Sequence, residues 1–337
     1  MRLARYGYRI VNYSSAAHAA AAVNLRENGM KQARVAILTL ALGWAVSATA
    51  AQPPKAPSPA AACDRECLRG AITGYLHALV RHDVSQLPLA GNVRITEDSI
   101  EKTIDKVGLV RSVTKLRGYR QDFLDEREGI AGADVVVEES GAPILLVVRL
   151  KMEGEKITEL ETVASRSRAD GTLFNIDGVE NTTAEMNYAP RKSQLNTREE
   201  MIRIALLYPA GLEAESFVKV DAPFTPEAYR LENGEAMAGP DCKRNEGCKN
   251  IKTQPLGNGD RGKVETRVAA VDERMGIVWL RMAWGGNRPP REGAQRTELT
   301  VWESFKIYDG KIHAVEAFMK NLPVGLGSGW PQLNMQR

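Results

Sequence analysis

Residues Lys151–Thr162 read KMEGEKITELET, and residues Lys306–Ala317 read KIYDGKIHAVEA. Each begins with lysine, passes through a glycine-containing turn to Lys-Ile, and ends two residues later on an aliphatic residue and a glutamate. The two stretches lie 155 residues apart. A turn flanked by alternating apolar residues is a hairpin signal, so each phrase predicts the last two strands of a sheet. Finding it twice predicts that the whole unit was duplicated, and two copies are too few for a solenoid.

The surroundings of the two phrases agree with a duplication. Leu68, Ile72, Tyr75, Leu76 and Leu79 recur at helical spacing before the first phrase. Before the second, Thr197 followed by Glu200 is a capping box, and Met201, Ile204, Ala205 and Tyr208 continue a helix. A short strand follows each helix and ends in Glu97-Asp98 or Glu232-Asn233. Long β-type runs then lead into the phrase. Glu97 to Glu161 spans 64 residues and Glu232 to Glu316 spans 84. The excess is largely a loop holding Cys242 and Cys248 and a Gly/Pro-rich loop at 285–293. Residues 166–196 read as a long connection.

The chain has 337 residues, 45 lysines and arginines, and 42 acids, for a formal charge of +3. That charge sits in the head. Residues 1–51 hold six basic residues and one acid, and the remainder holds 39 and 41. A near-neutral body lacks the basic footprint of a nucleic-acid binder. Lys31 and Arg34, the apolar run Val35–Val46 and the small residues Ser47–Ala50 follow the order of a secretory signal, with cleavage expected near Ala50 or Ala51. The apolar run is too short to span a bilayer. Met30 is the expected start of that signal; the rival is an Arg-, Ser- and Ala-rich transit peptide with the apolar run as a second sorting step. A Pro/Ala spacer follows at 52–62. Four cysteines, spaced four apart (Cys63, Cys67) and six apart (Cys242, Cys248), suit two local disulfides in an exported chain. Neither pair is C-x-x-C or has a histidine near it, so a redox or metal role is not expected.

Taken together, the leading helix, the crossing elements and the long strands ending in GEKITELET or DGKIHAVEA resemble the SnoaL-like, nuclear transport factor 2-like superfamily. Within it, the chain is similar to an uncharacterised, often exported group with a CDRxCL opening helix, here Cys63–Leu68. YLHALVRHDVSQLPLAGNVRITED, PFTPEAYRLENG and the closing FKIYDGKIHAVEAFM and GSGW carry the resemblance, which covers roughly residues 63–330. Two departures stand in the first copy. Glu97-Asp98-Ser99 replaces an expected Glu-Asn-Gly, and Gly108-Leu109-Val110 replaces an expected Gly-Leu-Trp.

The resemblance implies an α+β fold of two tandem cone-like domains, each a curved antiparallel sheet wrapped around N-terminal helices. The expected boundaries are 1–51 for targeting (30–51 as signal peptide), 52–62 for a linker, 63–168 for the first domain, 169–195 for a linker and 196–330 for the second. The domains are expected to pack as an internal pseudo-dimer, with further self-association left open. The implied function is cofactor-independent lyase, isomerase or hydrolase chemistry on a small apolar organic compound. The alternative is a non-catalytic periplasmic or secreted ligand-binding or assembly domain. No cofactor, metal, nucleic acid or membrane partner (once the signal is cleaved) is expected, and G-x-S-x-G, Walker, Rossmann and H-E-x-x-H patterns are absent from the sequence.

For the site, the second copy is favoured. His313 is a candidate base, placed by strand parity with Val315 and Ala317. Glu232 is the other, with Tyr229 or Arg281 stabilising developing negative charge. The structural alternatives are a partly exposed histidine on the convex face and a Glu-Asn corner that merely holds its turn. Glu316, placed by parity with Ile312, Ala314 and Phe318, either pairs with an arginine such as Arg281 or is functional, and Glu161 takes the same alternatives. Trp279, Trp284 and Trp302 either line a pocket or are core or dimer-interface residues.

Overall fold

The computed structural model describes residues 63–171, 173–182, 184–256, 262–285, 295–327 and Trp330. The expected signal and spacer lie outside the described residues, as does most of the Gly/Pro-rich loop. No helix among the described residues is long and apolar enough to cross a membrane.

Helix α1 (Arg65–Arg81) is opened by Asp64, whose side chain accepts from the Cys67 amide, and Cys63 is bonded to Cys67. Its apolar stripe turns inward because residues three and four apart share a helix face. Strands β1 (Leu89–Glu97) and β2 (Ile100–Glu101), the short helix α2 (Leu109–Ser112), and strands β3 (Val113–Asp125), β4 (Ile130–Glu139), β5 (Ala142–Glu153) and β6 (Lys156–Ser165) complete the first half. Their sheet has the order β2-β1-β6-β5-β4-β3. Helices α3 (Arg168–Gly171) and α4 (Ile176–Glu180) and a 3-10 turn at Ala184–Asn187 lead to α5 (Arg198–Glu213), capped by Thr197 as the capping box predicts. Strands β7 (Phe224–Glu232), β8 (Glu235–Ala238), β9 (Glu265–Asp272), β10 (Ile277–Trp284), β11 (Thr297–Tyr308) and β12 (Lys311–Pro323) follow. Their order, β8-β7-β12-β11-β10-β9, repeats the first sheet strand for strand. In each sheet only the join of its first long strand to its last is parallel. The fold is therefore α+β, with two tandem cone-like domains.

Each sheet has a concave face around its own helix and a convex face turned to the other sheet. Helix α1 and the inward residues of β1 and β3–β6 form one core, and α5 with β7–β12 forms a second. A third core lies between the convex faces. It holds Phe123, Val136, Leu145 and Val163 from the first sheet and Ala270, Trp279, Trp302 and Phe318 from the second. The same surfaces meet from both sides, as in an isologous dimer interface. Arg65 on α1 grips Asp272 with two bonds of 2.8 Å. Arg198 on α5 grips Asp125 at 2.9 and 2.7 Å. The two aspartates begin matching turns, DEREGI (Asp125–Ile130) and DERMGI (Asp272–Ile277). Gly129 and Gly276 within them sit at φ +66° and +62°, where a Cβ would fall 2.5 and 2.4 Å from the Met152 and Ile307 carbonyl oxygens. Only glycine suits such a position.

The long connection is built into this interface. Val179 and Met186 pack in the third core, and the Thr182 hydroxyl reaches Glu316 at 3.0 Å.

Candidate active site in the second cone

A cavity of about 440 Å³ opens inside the second cone. Strand alternation supplies its walls. Along β11, Leu299, Val301, Glu303, Phe305 and Ile307 face α5. Along β7, Ala228, Arg230 and Glu232 take the same side. Tyr208 of α5 rises from below, stacked on Phe217 with ring centroids 4.8 Å apart. Trp284, Leu256, Met237 and Met319 make an apolar end. The second disulfide, Cys242–Cys248, closes a loop that puts Arg244, Asn245 and Cys248 in the wall.

The polar end is a short network. Arg230 donates to the Tyr208 hydroxyl at 3.0 Å and to Gln254 Oε1 at 3.3 Å. Its Nε lies 3.0 Å from Glu232 Oε1. Glu303 is 2% exposed and faces this group. Burial pushes its pKa up to about 8; Glu232 adds to the rise, while Arg230 and the Tyr208 hydroxyl pull it back. Desolvation disfavours the charged form of a carboxyl group, so Glu303 is protonated at neutral pH. Burial also drives the Tyr208 phenol well above its usual range. Burial works against the charge on Arg230, yet Tyr208, Glu232 and Glu303 hold its pKa above the ordinary value. Gln254 Nε2 is buried and has no hydrogen-bond partner.

The first cone lacks this arrangement. Ile95 pairs with Leu160 as Arg230 pairs with Val315, so isoleucine replaces the arginine. Val148 pairs with Thr162 as Glu303 pairs with Ala317, so valine replaces the acid. Tyr75 stands where Tyr208 does on its helix, and its hydroxyl has no partner. Val107, Leu109 and Val110 on and before α2 fill the first core. Glu97 is spent on that segment, accepting from the Gly108 and Leu109 amides at 3.0 and 2.9 Å and from Lys102.

Of the four residues expected from sequence, Glu232 alone lines the cavity. His313 sits at a bulge where β11 and β12 slip register. It is half-buried, stacked on Tyr308 with its Nε2 3.1 Å from that residue's carbonyl oxygen. Burial lowers its pKa. The bulge also moves Ile312 to the concave side, whereas Ala314 and Phe318 face the other sheet with Glu316. Tyr229 points away from the cavity and donates to Glu316 at 2.7 Å. Arg281 lies on the convex side too, 3.0 Å from the Gly327 carbonyl. It does not pair with Glu316, which takes Tyr229, Thr182 and, at 3.4 Å, Tyr119. Glu161, its counterpart, pairs with Arg267 at 2.7 Å and lies 3.8 Å from Arg149. Trp284 lines the cavity, whereas Trp279 and Trp302 belong to the interface core. Asn233 holds its corner, donating to the Leu173 and Met319 carbonyls and accepting from the Met319 amide. Asp98 takes the matching corner, accepting from the Ala164 amide. Sequence reasoning missed Glu303 and Arg230. The signal was a single acid within the apolar alternation Leu299, Val301, Phe305 and Ile307.

A family model described as a domain of unknown function (DUF8021) matches residues 194–319, the half that holds the cavity. No curated protein matches the chain. Among solved structures it is similar to AclR from Streptomyces galilaeus, a candidate hydroxylase, at 15% identity over 41% of this chain and 91% of that one, with a TM-score of 0.28. It is also similar to an M. tuberculosis LEH-like epoxide hydrolase at 17% identity, covering 36% of this chain and 84% of that one, with a TM-score of 0.22.

Proposed function

We propose that the second cone binds a small, largely apolar organic molecule bearing an oxygen function and catalyses proton transfer on it, in a lyase, isomerase or hydrolase reaction. The observation that carries this is the Glu303 carboxyl group, buried in the cavity wall beside Tyr208 and the Arg230–Glu232 pair. A carboxyl group that keeps its proton near neutral pH is matched to general-acid work. Glu303 protonates the substrate oxygen as a bond to it breaks or polarises. Glu232, paired with Arg230, accepts a proton from the substrate or from a water. Tyr208 orients Glu303, and the apolar end seats the carbon skeleton and keeps the proton donor dry. We further propose that the chain works outside the cytoplasm, in the periplasm or after secretion; its two disulfides support this.

The test is a panel of small epoxides, esters, enol ethers and β-hydroxy ketones incubated with wild type and with Glu303→Gln, followed by mass spectrometry. Conversion by wild type, with binding but no conversion by the variant, is expected. A compound bound by both and never changed would make the cavity a binding site only.

A further inference from the structure

We propose that the ligand of this cavity is an organic acid, and that Arg244 on the disulfide-closed loop recognises its carboxylate. This rests on the cavity being the ligand site. Among the described residues, one cation in its wall has no ion-pair partner. Arg230 is answered by Glu232 at 3.0 Å. Arg244 lines the same cavity and is exposed, and no acid among the described residues pairs with it. Asp241 and Glu246 lie in the same loop region, but neither comes within ion-pair distance of it. A guanidinium offers a rigid fork of donors that suits a carboxylate.

A second observation points the same way. The polar end holds a buried donor with no acceptor. Gln254 is 8% exposed, and its buried Nε2 lacks a partner while its Oε1 is taken by Arg230. An uncompensated buried donor is costly unless a ligand oxygen answers it. A ligand with an apolar body and acceptor oxygens completes both ends. The loop presenting Arg244 is short and tied. Cys242 and Cys248 close it, and both are buried. The Cys248 carbonyl also accepts from the Gly239 amide at 2.8 Å. The backbone that carries Arg244 is therefore fixed, so binding has only its side chain left to order.

The experiment compares 1-naphthaleneacetate with its neutral isostere 1-naphthaleneacetamide by isothermal titration at neutral pH and low salt, on wild type and Arg244→Gln. Wild type is expected to bind the acid about tenfold more tightly than the amide, a preference of the size a charge-assisted hydrogen bond supplies. Arg244→Gln is expected to abolish the preference by weakening the acid alone, and added salt to shrink it in wild type. Equal binding of acid and amide by wild type would overturn the proposal and leave the cavity as the ligand site. A preference that survives in Arg244→Gln would overturn the role of Arg244. Binding of neither compound would count against the cavity itself, and the proposal would fall with it.

Discussion

Gly132 and Trp279 occupy the same place in the two halves and touch each other. Each is the third residue of its strand, β4 or β10. A Cβ on Gly132 would lie 2.4 Å from the Trp279 ring. Trp279 in turn stacks on Phe123 with centroids 4.7 Å apart. Near the axis that relates two copies, matching positions face themselves, and two indoles would not fit. The fused chain resolves this with the smallest and the largest side chain. Gly132→Ala is therefore expected to destabilise the protein by about 1–3 kcal/mol through overpacking, read as a lower denaturation midpoint at unchanged slope.

The paired grips of Arg198 on Asp125 and Arg65 on Asp272 bind each helix to the opposite sheet. Asp125 is fully buried and Arg198 nearly so. Arg198→Met would leave a buried carboxylate without its cation, at an expected cost of about 3–5 kcal/mol. Chemical denaturation measures it; a loss below about 1 kcal/mol would show that the sheets hold together without the grip.

Duplication has also left one glutamate in two environments. Glu161 sits among arginines, with Arg267 at 2.7 Å. Glu316 sits among hydroxyl groups beside the buried Asp134. Burial raises the pKa of both Glu316 and Asp134, and Glu316 raises Asp134 further. Folding thus tightens proton binding at this pole, so stability falls as pH rises from the unfolded carboxyl pKa through the raised folded values. Glu161→Gln strands buried guanidinium groups and is expected to cost about 3–5 kcal/mol. Glu316→Gln keeps the hydroxyl partners and is expected to gain on wild type as the pH is raised. Thermal unfolding of both variants across pH checks the contrast, and equal losses at every pH would refute it.

Glu303 carries the same sign of linkage, with its folded pKa near 8. If it is the proton donor, activity is expected to fall as pH rises through that value. Glu303→Gln is expected to remove turnover while raising stability relative to wild type on the alkaline side. A pH–rate profile flat to pH 10 would remove Glu303 from the reaction.

Much of the fold was legible because the repeated hairpin phrase, the two amphipathic helices and the capping box are local signals. The site was less so, for a physical reason. Both faces of each sheet are buried, so strands such as Ile277–Trp284 read as nearly continuous apolar runs. Alternation separates the faces without saying which is concave. Tyr229 and Arg281 were thus assigned to the cavity when their neighbours Arg230 and Met282 face inward. At His313 a bulge breaks the parity that placed it. Glu232 was found because it ends its strand at a corner, although the same corner repeats in the first half, where Glu97 holds a turn. Glu303 does not repeat, since Val148 stands in its place.

Ligands are expected to enter the second cone and not the first. Methionine-methyl NMR tests this directly. Met237 and Met319 line the cavity, whereas Met152 packs in the first core and Met186 in the interface. On titration with any compound the protein binds, the Met237 and Met319 signals are predicted to shift and those of Met152 and Met186 to stay. Shifts at Met152 with Met237 and Met319 unmoved would contradict the account.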